Sequence, residues 1–184
     1  MQEIRFHGRA GQGILTASRL FAHAAILDGK YAQAFPDFGP ERLGSPVQAF
    51  VRIDDQPIEI RSQIYSPNAV AVFEQSMLAK VPVTRGMLPK GKLIVNLKSD
   101  PPIGVREMEN AIQFHLYAID ADKIAINLIG SPTVSTVMLG ALASASGLVS
   151  AESLESSIVE RFQGSLREVN AKMLRAGFNE VCEI

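Results

Sequence analysis

The sequence predicts an α/β fold: an open, mostly parallel but mixed sheet, helices on both faces, and a helical C-terminal third. Three observations lead there. Apolar runs of strand length at residues 69–73, 92–96 and 114–119 alternate with helix-period segments bounded by turns. Residues 47–53 alternate apolar and polar, and a turn at 54–57 leads to a short return at 58–60, so a hairpin and a mixed sheet are expected. Residues 133–178 carry helix patterns in succession with no strand pattern between them. The chain has 184 residues, 47% hydrophobic and 20% charged, enough to bury a core in one domain spanning 1–184.

The first element alternates Ile4 and Phe6 with Arg5 and His7, the period of a half-buried strand. Gly8, Gly11 and Gly13 follow, a tight turn in which backbone approaches something closely. Ile14, Leu15, Leu20, Phe21, Ala24 and Ala25 then make one helix face, and Gly29 ends the helix. A helix opened by a glycine turn offers free N–H groups and a positive dipole end, which suit an anion. The spacing, however, is G-x-x-G-x-G, neither the dinucleotide order nor a P-loop. The turn reads equally as close β–α packing or as a ligand or interface loop. Its candidate residues are His7, Gly8, Arg9, Gly11, Gln12 and Gly13.

Residues 30–36 form a short strand pattern that runs into Phe38, Gly39, Pro40, Glu41 and Arg42, then Leu43, Gly44, Ser45 and Pro46. Opposite charges set between glycines and prolines read as a recognition loop or as a surface pair of little energetic consequence. Residues 69–73 suit a strand buried on both faces. A short helix is expected over 74–80, a turn at 88–91, a strand at 92–96, a break at Asp100-Pro-Pro102 and a strand at 114–119. Asp120 or Asp122 caps a helix over 123–128. Residues 133–146 have little charge, so this helix is buried or faces a partner, and Gly147 ends it. Ser150 and Ser153 open a helix over 154–162, and 166–178 is a last amphipathic helix.

Composition narrows the function. The net charge of −1 with no basic run gives nucleic-acid binding no electrostatic support. No apolar run approaches a membrane span, and the N-terminal residues enter a strand directly, so no secretory leader is expected. The single cysteine, Cys182, fits a reducing cytoplasm. With one Cys and three separated histidines there is no metal-ligand spacing, and an iron–sulfur cluster held by this chain alone is excluded. His23 and His115 read as structural; His7 touches the glycine turn. There is no nucleophile elbow and no nucleophile–base pair, so no catalytic residue is assigned. These absences suggest a subunit that completes an active site built by others.

Five motifs in order carry a resemblance: His7-Gly-Arg-Ala-Gly-Gln-Gly13, Gly29-Lys-Tyr-Ala-Gln-Ala-Phe-Pro36, Phe38-Gly-Pro-Glu-Arg-Leu-Gly-Ser-Pro46, Arg61-Ser62 with Tyr65-Ser-Pro67, and Met138-Leu-Gly-Ala141. The sequence resembles the gamma subunits of pyruvate:ferredoxin oxidoreductase and related 2-oxoacid:acceptor oxidoreductases. It departs from them at Ala10, where glycine is common, at Leu43, where a second arginine is frequent, and at Ser45, Asn68 and Ser135, where alanine, aspartate and asparagine are usual. The resemblance implies a Rossmann-like domain beside alpha, beta and delta subunits. In the assembled enzyme a 2-oxoacid is decarboxylated on thiamine diphosphate with Mg, electrons pass through iron–sulfur clusters to ferredoxin or flavodoxin, and the acyl group leaves on CoA. None of these cofactors is implied for this chain alone. The glycine turn and the 38–46 loop are expected to face the assembly and shape the CoA or thiamine site, with Arg9 and Arg42 available for phosphate. Tyr31-Ala-Gln-Ala-Phe-Pro36 leans towards the pyruvate type. The competing readings are an independent nucleotide-binding protein using Gly8 to Gly13, with Asp37 as the nearest acid, and a scaffold with no ligand contact.

Overall fold

The computed structural model describes residues 1–37, 45–98, 105 and 113–184. Among them the elements run β1 (Gln2–Arg9), α1 (Ile14–Leu27), β2 (Tyr31–Pro36), β3 (Pro46–Asp54), β4 (Ala69–Val72), α2 (Met77–Lys80) and β5 (Lys92–Asn96). Then come β6 (His115–Ile119), α3 (Ala121–Ile129), α4 (Ser135–Ser146), α5 (Ala151–Arg161), α6 (Ser165–Glu180) and β7 (Cys182–Glu183). The strands make one mixed sheet in the order β2-β3-β1-β4-β5-β6-β7. Pairing is parallel in the centre, β1 to β4 to β5 to β6, and antiparallel on both flanks.

The antiparallel flank differs from the expected hairpin. No strand forms at 58–60. Both edges of β3 are occupied, by β1 and by β2, so β3 has no edge left for this segment. Side chains satisfy its carbonyls instead: Gln33 Nε2 donates to Ile58 O (2.7 Å) and Arg52 Nη1 to Ile60 O (3.3 Å). The hairpin partners are β2 and β3.

Each face of the sheet has its own core. Ile4, Phe6, Ala69, Ala71 and Ile94 pack under α1 and α4. Phe6 meets Phe21 of α1 edge-on at 6.2 Å and Phe73 at 6.0 Å. The opposite side chains, Val70, Val72, Leu93, Val95 and Leu116, pack with Met77, Leu78, Val83 and Met87 from α2 and the turns that follow it. Alternate residues of β4 thus enter different cores, which explains its unbroken apolar run.

The helix ends follow their caps. Asp120 caps α3, its Oδ1 accepting from Lys123 N (2.9 Å), so α3 starts ahead of the expected 123. Ser150 Oγ accepts from Ser153 N (3.1 Å), and α5 likewise starts earlier, at Ala151. Helix α4 is buried along most of its length, but within its own chain. It is sandwiched between the sheet and α6, so it is not the partner-facing surface that its low charge allowed. The α4–α6 contact is backbone against backbone. A Cβ on Gly140 would lie 2.7 Å from Phe178 N and closer still to Leu174 O. One on Gly177 would lie 2.7 Å from the Val137 carbonyl carbon and closer still to its oxygen.

A carboxylate fastens α1 to α5. Asp28 accepts from Ser150 N (2.7 Å), Ser150 Oγ (2.7 Å) and Ser153 Oγ (2.6 Å). Burial pushes its pKa up, but these hydrogen bonds and the charge of Lys30 outweigh it and hold the carboxyl below its ordinary value. A depressed folded pKa contributes stability that is present above the unfolded value of about 3.9 and is lost as pH falls through the folded one. Urea unfolding should show Asp28→Asn about 2 kcal/mol less stable than the parent at pH 7. That gap should shrink by pH 3, and a constant gap would contradict the assignment.

Candidate functional site

Strands β1, β4 and β5 end on the same side of the sheet. The chain leaves β1 through α1 towards one face and β4 through α2 towards the other. Diverging connections at the carboxyl ends of parallel strands open a crevice, the usual ligand position in open α/β sheets.

The glycine turn forms one wall. Gly11 (φ 96°) and Gly13 (φ 75°) adopt left-handed backbone, and Gly13 takes the N-cap position of α1. Gly8 lets α1 seat on β1, since a Cβ there would lie 2.9 Å from Ile14 Cγ1. Gln12 folds back over the turn: its Oε1 accepts from Arg9 N (2.8 Å), and its own N–H donates to Arg9 O (3.1 Å). Ala10 N donates to Ser45 O (2.9 Å). Three N–H groups of the glycine turn, those of Arg9, Ala10 and Gln12, are therefore used inside the chain, ahead of the first residue of α1.

Arg9 is engaged as well. Its Nη2 donates to Ser76 Oγ (2.7 Å), and its Nε lies 3.8 Å from Glu74 Oε2. Gln12 Nε2 donates to the same carboxylate (3.3 Å). Burial pushes the Glu74 pKa up, yet the bonds from Ser76, the Arg9 charge and the Gln12 bond bring it below the ordinary range. The four side chains clamp the turn after β1 to the turn after β4. The sequence pointed to Arg9 and Gln12. It gave no sign of Glu74 and Ser76 beyond their place just past a buried strand.

Beside the clamp lies a cavity of about 310 Å³ lined by Glu74, Gln75, Ser76, Asn96, Lys98 and Asp122. Asn96 ties its walls together. Its Nδ2 donates to Phe73 O (3.0 Å) and Asp122 Oδ2 (2.8 Å), and its Oδ1 accepts from Ala121 N (3.0 Å). Lys98 Nζ stands 3.6 Å from Asp122.

His7 is buried on the face that carries Arg5. Burial, reinforced by the Arg5 charge, lowers its pKa to about 3, so the imidazole is neutral at physiological pH. Its Nε2 is buried without a partner among the described residues, and Arg5 Nη2 donates to Val83 O and Arg85 O (2.7 Å each). His23 and His115 hydrogen-bond Ser157 and Glu183 as structural histidines. Phe38, Gly39, Pro40, Glu41 and Arg42 lie outside the described residues.

Metal ions and iron–sulfur clusters fit the described residues poorly. No cluster of three or more His, Cys, Asp or Glu side chains able to hold a metal ion exists among the described residues. One cysteine cannot supply the thiolates of an iron–sulfur cluster. The dinucleotide reading also fails on geometry. Strand β3 stands between β1 and β2, so Asp37, following β2, is displaced by two strand spacings, roughly 10 Å. Its Oδ1 accepts from Gln63 Nε2 (2.6 Å). No helix among the described residues is long and apolar enough to cross a membrane.

Residues 3–180 match the family described as pyruvate ferredoxin/flavodoxin oxidoreductase. The chain is 46% identical over 180 residues to the pyruvate/ketoisovalerate oxidoreductases common subunit gamma of Pyrococcus abyssi, covering 98% of this chain and 97% of that one. It is 45% identical over 182 residues to pyruvate synthase subunit PorC of Methanocaldococcus jannaschii, with coverage of 98% and 97%. The crystal structure of pyruvate oxidoreductase subunit PORC from Thermotoga maritima matches with a TM-score of 0.85 at 35% identity, over 98% of this chain and 97% of that one. The fold also recurs in a 2-oxoglutarate:ferredoxin oxidoreductase from Magnetococcus marinus (TM-score 0.72, 18% identity), over 96% of this chain and 30% of that longer one. The family implies thiamine diphosphate and iron–sulfur clusters in the assembled complex. The chain belongs to the pyruvate ferredoxin/flavodoxin oxidoreductase family, as a gamma subunit of a multisubunit 2-oxoacid:ferredoxin oxidoreductase.

Proposed function

We propose that this subunit serves a cytoplasmic enzyme of the pyruvate type, which oxidatively decarboxylates pyruvate to acetyl-CoA and reduces ferredoxin or flavodoxin. Its partners are alpha, beta and delta subunits, which hold the thiamine diphosphate, Mg and clusters. This chain supplies no reacting group. It presents the glycine turn, His7 to Gly13, and the segment from Phe38 to Arg42 to the CoA and thiamine region. The observation that carries this reading is the clamp of Arg9, Gln12, Glu74 and Ser76, which fixes the turn at the crevice end of the sheet. The pyruvate assignment is supported by the relatives named pyruvate synthase subunits. The Pyrococcus subunit is named as common to pyruvate and ketoisovalerate enzymes, which favours substrate selection by the partner subunits.

Because Arg9 already answers Glu74, the proposed phosphate contact with CoA falls to Arg42. In the assembled enzyme Arg42→Ala should raise the KM for CoA about tenfold, equivalent to about 1.4 kcal/mol, and leave kcat nearly unchanged. Arg9→Ala should instead weaken assembly. An unchanged KM in both variants would leave a scaffold with no ligand contact. The first experiment is retrieval of the tagged chain from its native cells, with anaerobic dye reduction assayed against pyruvate, 2-oxoisovalerate and 2-oxoglutarate. Activity greatest with another 2-oxoacid would overturn the pyruvate assignment.

A further inference from the structure

A second cleft, of about 320 Å³, lies between α1 and α5, lined by Thr16, Arg19, Leu20, His23, Ser157, Glu160 and Arg161. Its polar groups are divided unequally. Ser157 is fully buried, and its one hydroxyl proton goes to Leu20 O (3.1 Å), a group that can only accept. His23 Nδ1, 3.1 Å from the same oxygen, must therefore carry hydrogen, and its Nε2 faces Glu160 Oε2 at 3.5 Å. Ser157, His23 and Glu160 form a chain of neighbours, and Glu160, the only carboxylate among the described residues lining the cleft, makes no ion pair with an arginine there. The same proton arrangement disqualifies the three as a nucleophile–base relay, since Ser157 does not direct its proton at the imidazole.

Arg19 and Arg161 are left over. Both are exposed, and neither has an ion partner among the described residues. The Arg161 guanidinium stacks on Phe162, 5.5 Å from the ring centroid. Close to Arg161 in sequence, Val159 on α5 (37% exposed) and Leu166 on α6 (61%) are exposed apolar side chains. A guanidinium over an aromatic ring, a second cation lining the same cleft and exposed aliphatic side chains are the composition of an interface hot spot. Neither arginine has a carboxylate partner among the described residues, and a guanidinium engages a carboxylate through two parallel N–H donors.

We infer that this cleft receives an aspartate or glutamate side chain of another subunit of the oxidoreductase. The inference rests on the chain's membership of that complex. It makes the α1–α5 edge a contact with the assembly additional to the glycine turn that opens α1.

The test is retrieval of the complex by the tagged chain, read as 2-oxoacid- and CoA-dependent dye reduction in the eluate. The double variant Arg19→Glu/Arg161→Glu should retrieve at least tenfold less activity than the parent, with an unchanged Tm for the isolated chain. Separately, Arg19→Lys and Arg161→Lys place an amine where a carbodiimide joins it only to an adjacent carboxylate. The expected product is a cross-link to an aspartate or glutamate of a partner subunit, located by mass spectrometry. Undiminished retrieval by the charge-reversal variant overturns the inference, as does the absence of a cross-link, whatever the retrieval. If inorganic phosphate raises the Tm of the parent but not of the variant while retrieval is equal, the occupant is a small anion and the inference fails. If the double variant unfolds, the lysine cross-link alone decides. A parent chain that retrieves no activity, with the partner subunits expressed, counts against the subunit reading itself.

Discussion

Gly177→Ala is expected to lower the stability of the isolated chain by about 3 kcal/mol, near the top of the range for overpacking. For a chain of this size that is a fall in Tm of roughly 6–12 °C. The reason lies in what the new methyl would meet. It would run into the Val137 peptide group of α4, and no side-chain rotation can move a backbone carbonyl in mid-helix. Helices α4 and α6 would have to separate, opening the contacts of Met173 and Leu174 with the core and stretching the Thr136–Asn170 hydrogen bond (2.6 Å). Gly140→Ala should behave alike, because its methyl faces the Leu174 carbonyl. Gly147→Ala is the contrast. Gly147 has a φ of 66° and open space around its α-carbon, so alanine there meets only the left-handed backbone cost of about 1 kcal/mol. Equal Tm losses at positions 147 and 177 would mean that backbone contact between α4 and α6 is not what makes glycine necessary.

Arg52→Met should be at least as damaging, at about 3–5 kcal/mol. Arg52 is 1% exposed, and each of its three side-chain nitrogens has an acceptor. Nε donates to Glu3 Oε1 (2.8 Å), Nη1 to Ile60 O, and Nη2 to Ser62 O (2.7 Å) and Gln63 O (3.3 Å), with the Phe35 ring 5.1 Å beneath. Methionine matches the stem in volume but leaves one carboxylate and three carbonyls without their donor. The segment after β3 should detach first. Amide hydrogen exchange over 58–64 should accelerate in the variant well beyond that in α4. Loss of stability spread evenly over the chain, with no local gain in exchange, would contradict this role.

Arg52 also shows where sequence reasoning reaches its limit. Beside Val51 and Ile53 it reads as the outward-facing member of an alternating strand, and periodicity cannot say that a charge is buried under a returning loop. The same pattern fits pairing with 58–60 as well as pairing with 31–36. Only the capture of both β3 edges by β1 and β2 decides between them. By contrast, β1, the glycine turn and α1 were legible because Ile4, Phe6, Leu20 and Phe21 mark local faces that survive into the core. Helix α4 was legible as buried but not as to what buries it, since its neighbour α6 is specified through Gly140 and Gly177, residues that carry no hydrophobic signal. Strand β7, two residues long, is too short to carry a period. At the site, Arg9 read as a phosphate ligand because nothing local discloses a carboxylate 65 positions later. The clamp with Glu74 is a product of the parallel β1–β4 pairing.

The insertion of β3 between β1 and β2 sets the timetable on which the protein is made. Strand β1 leaves the ribosome first, yet its two hydrogen-bonding edges belong to residues 46–54 and 69–72. At about 5–20 residues per second, β1 waits on the order of several seconds with both edges bare. Its central residues, Ile4, Phe6 and the backbone between them, are those most exposed to mispairing in that interval. Arg5 and Arg9 then act as charged interruptions in a nascent strand that would otherwise invite association with its neighbours on the polysome.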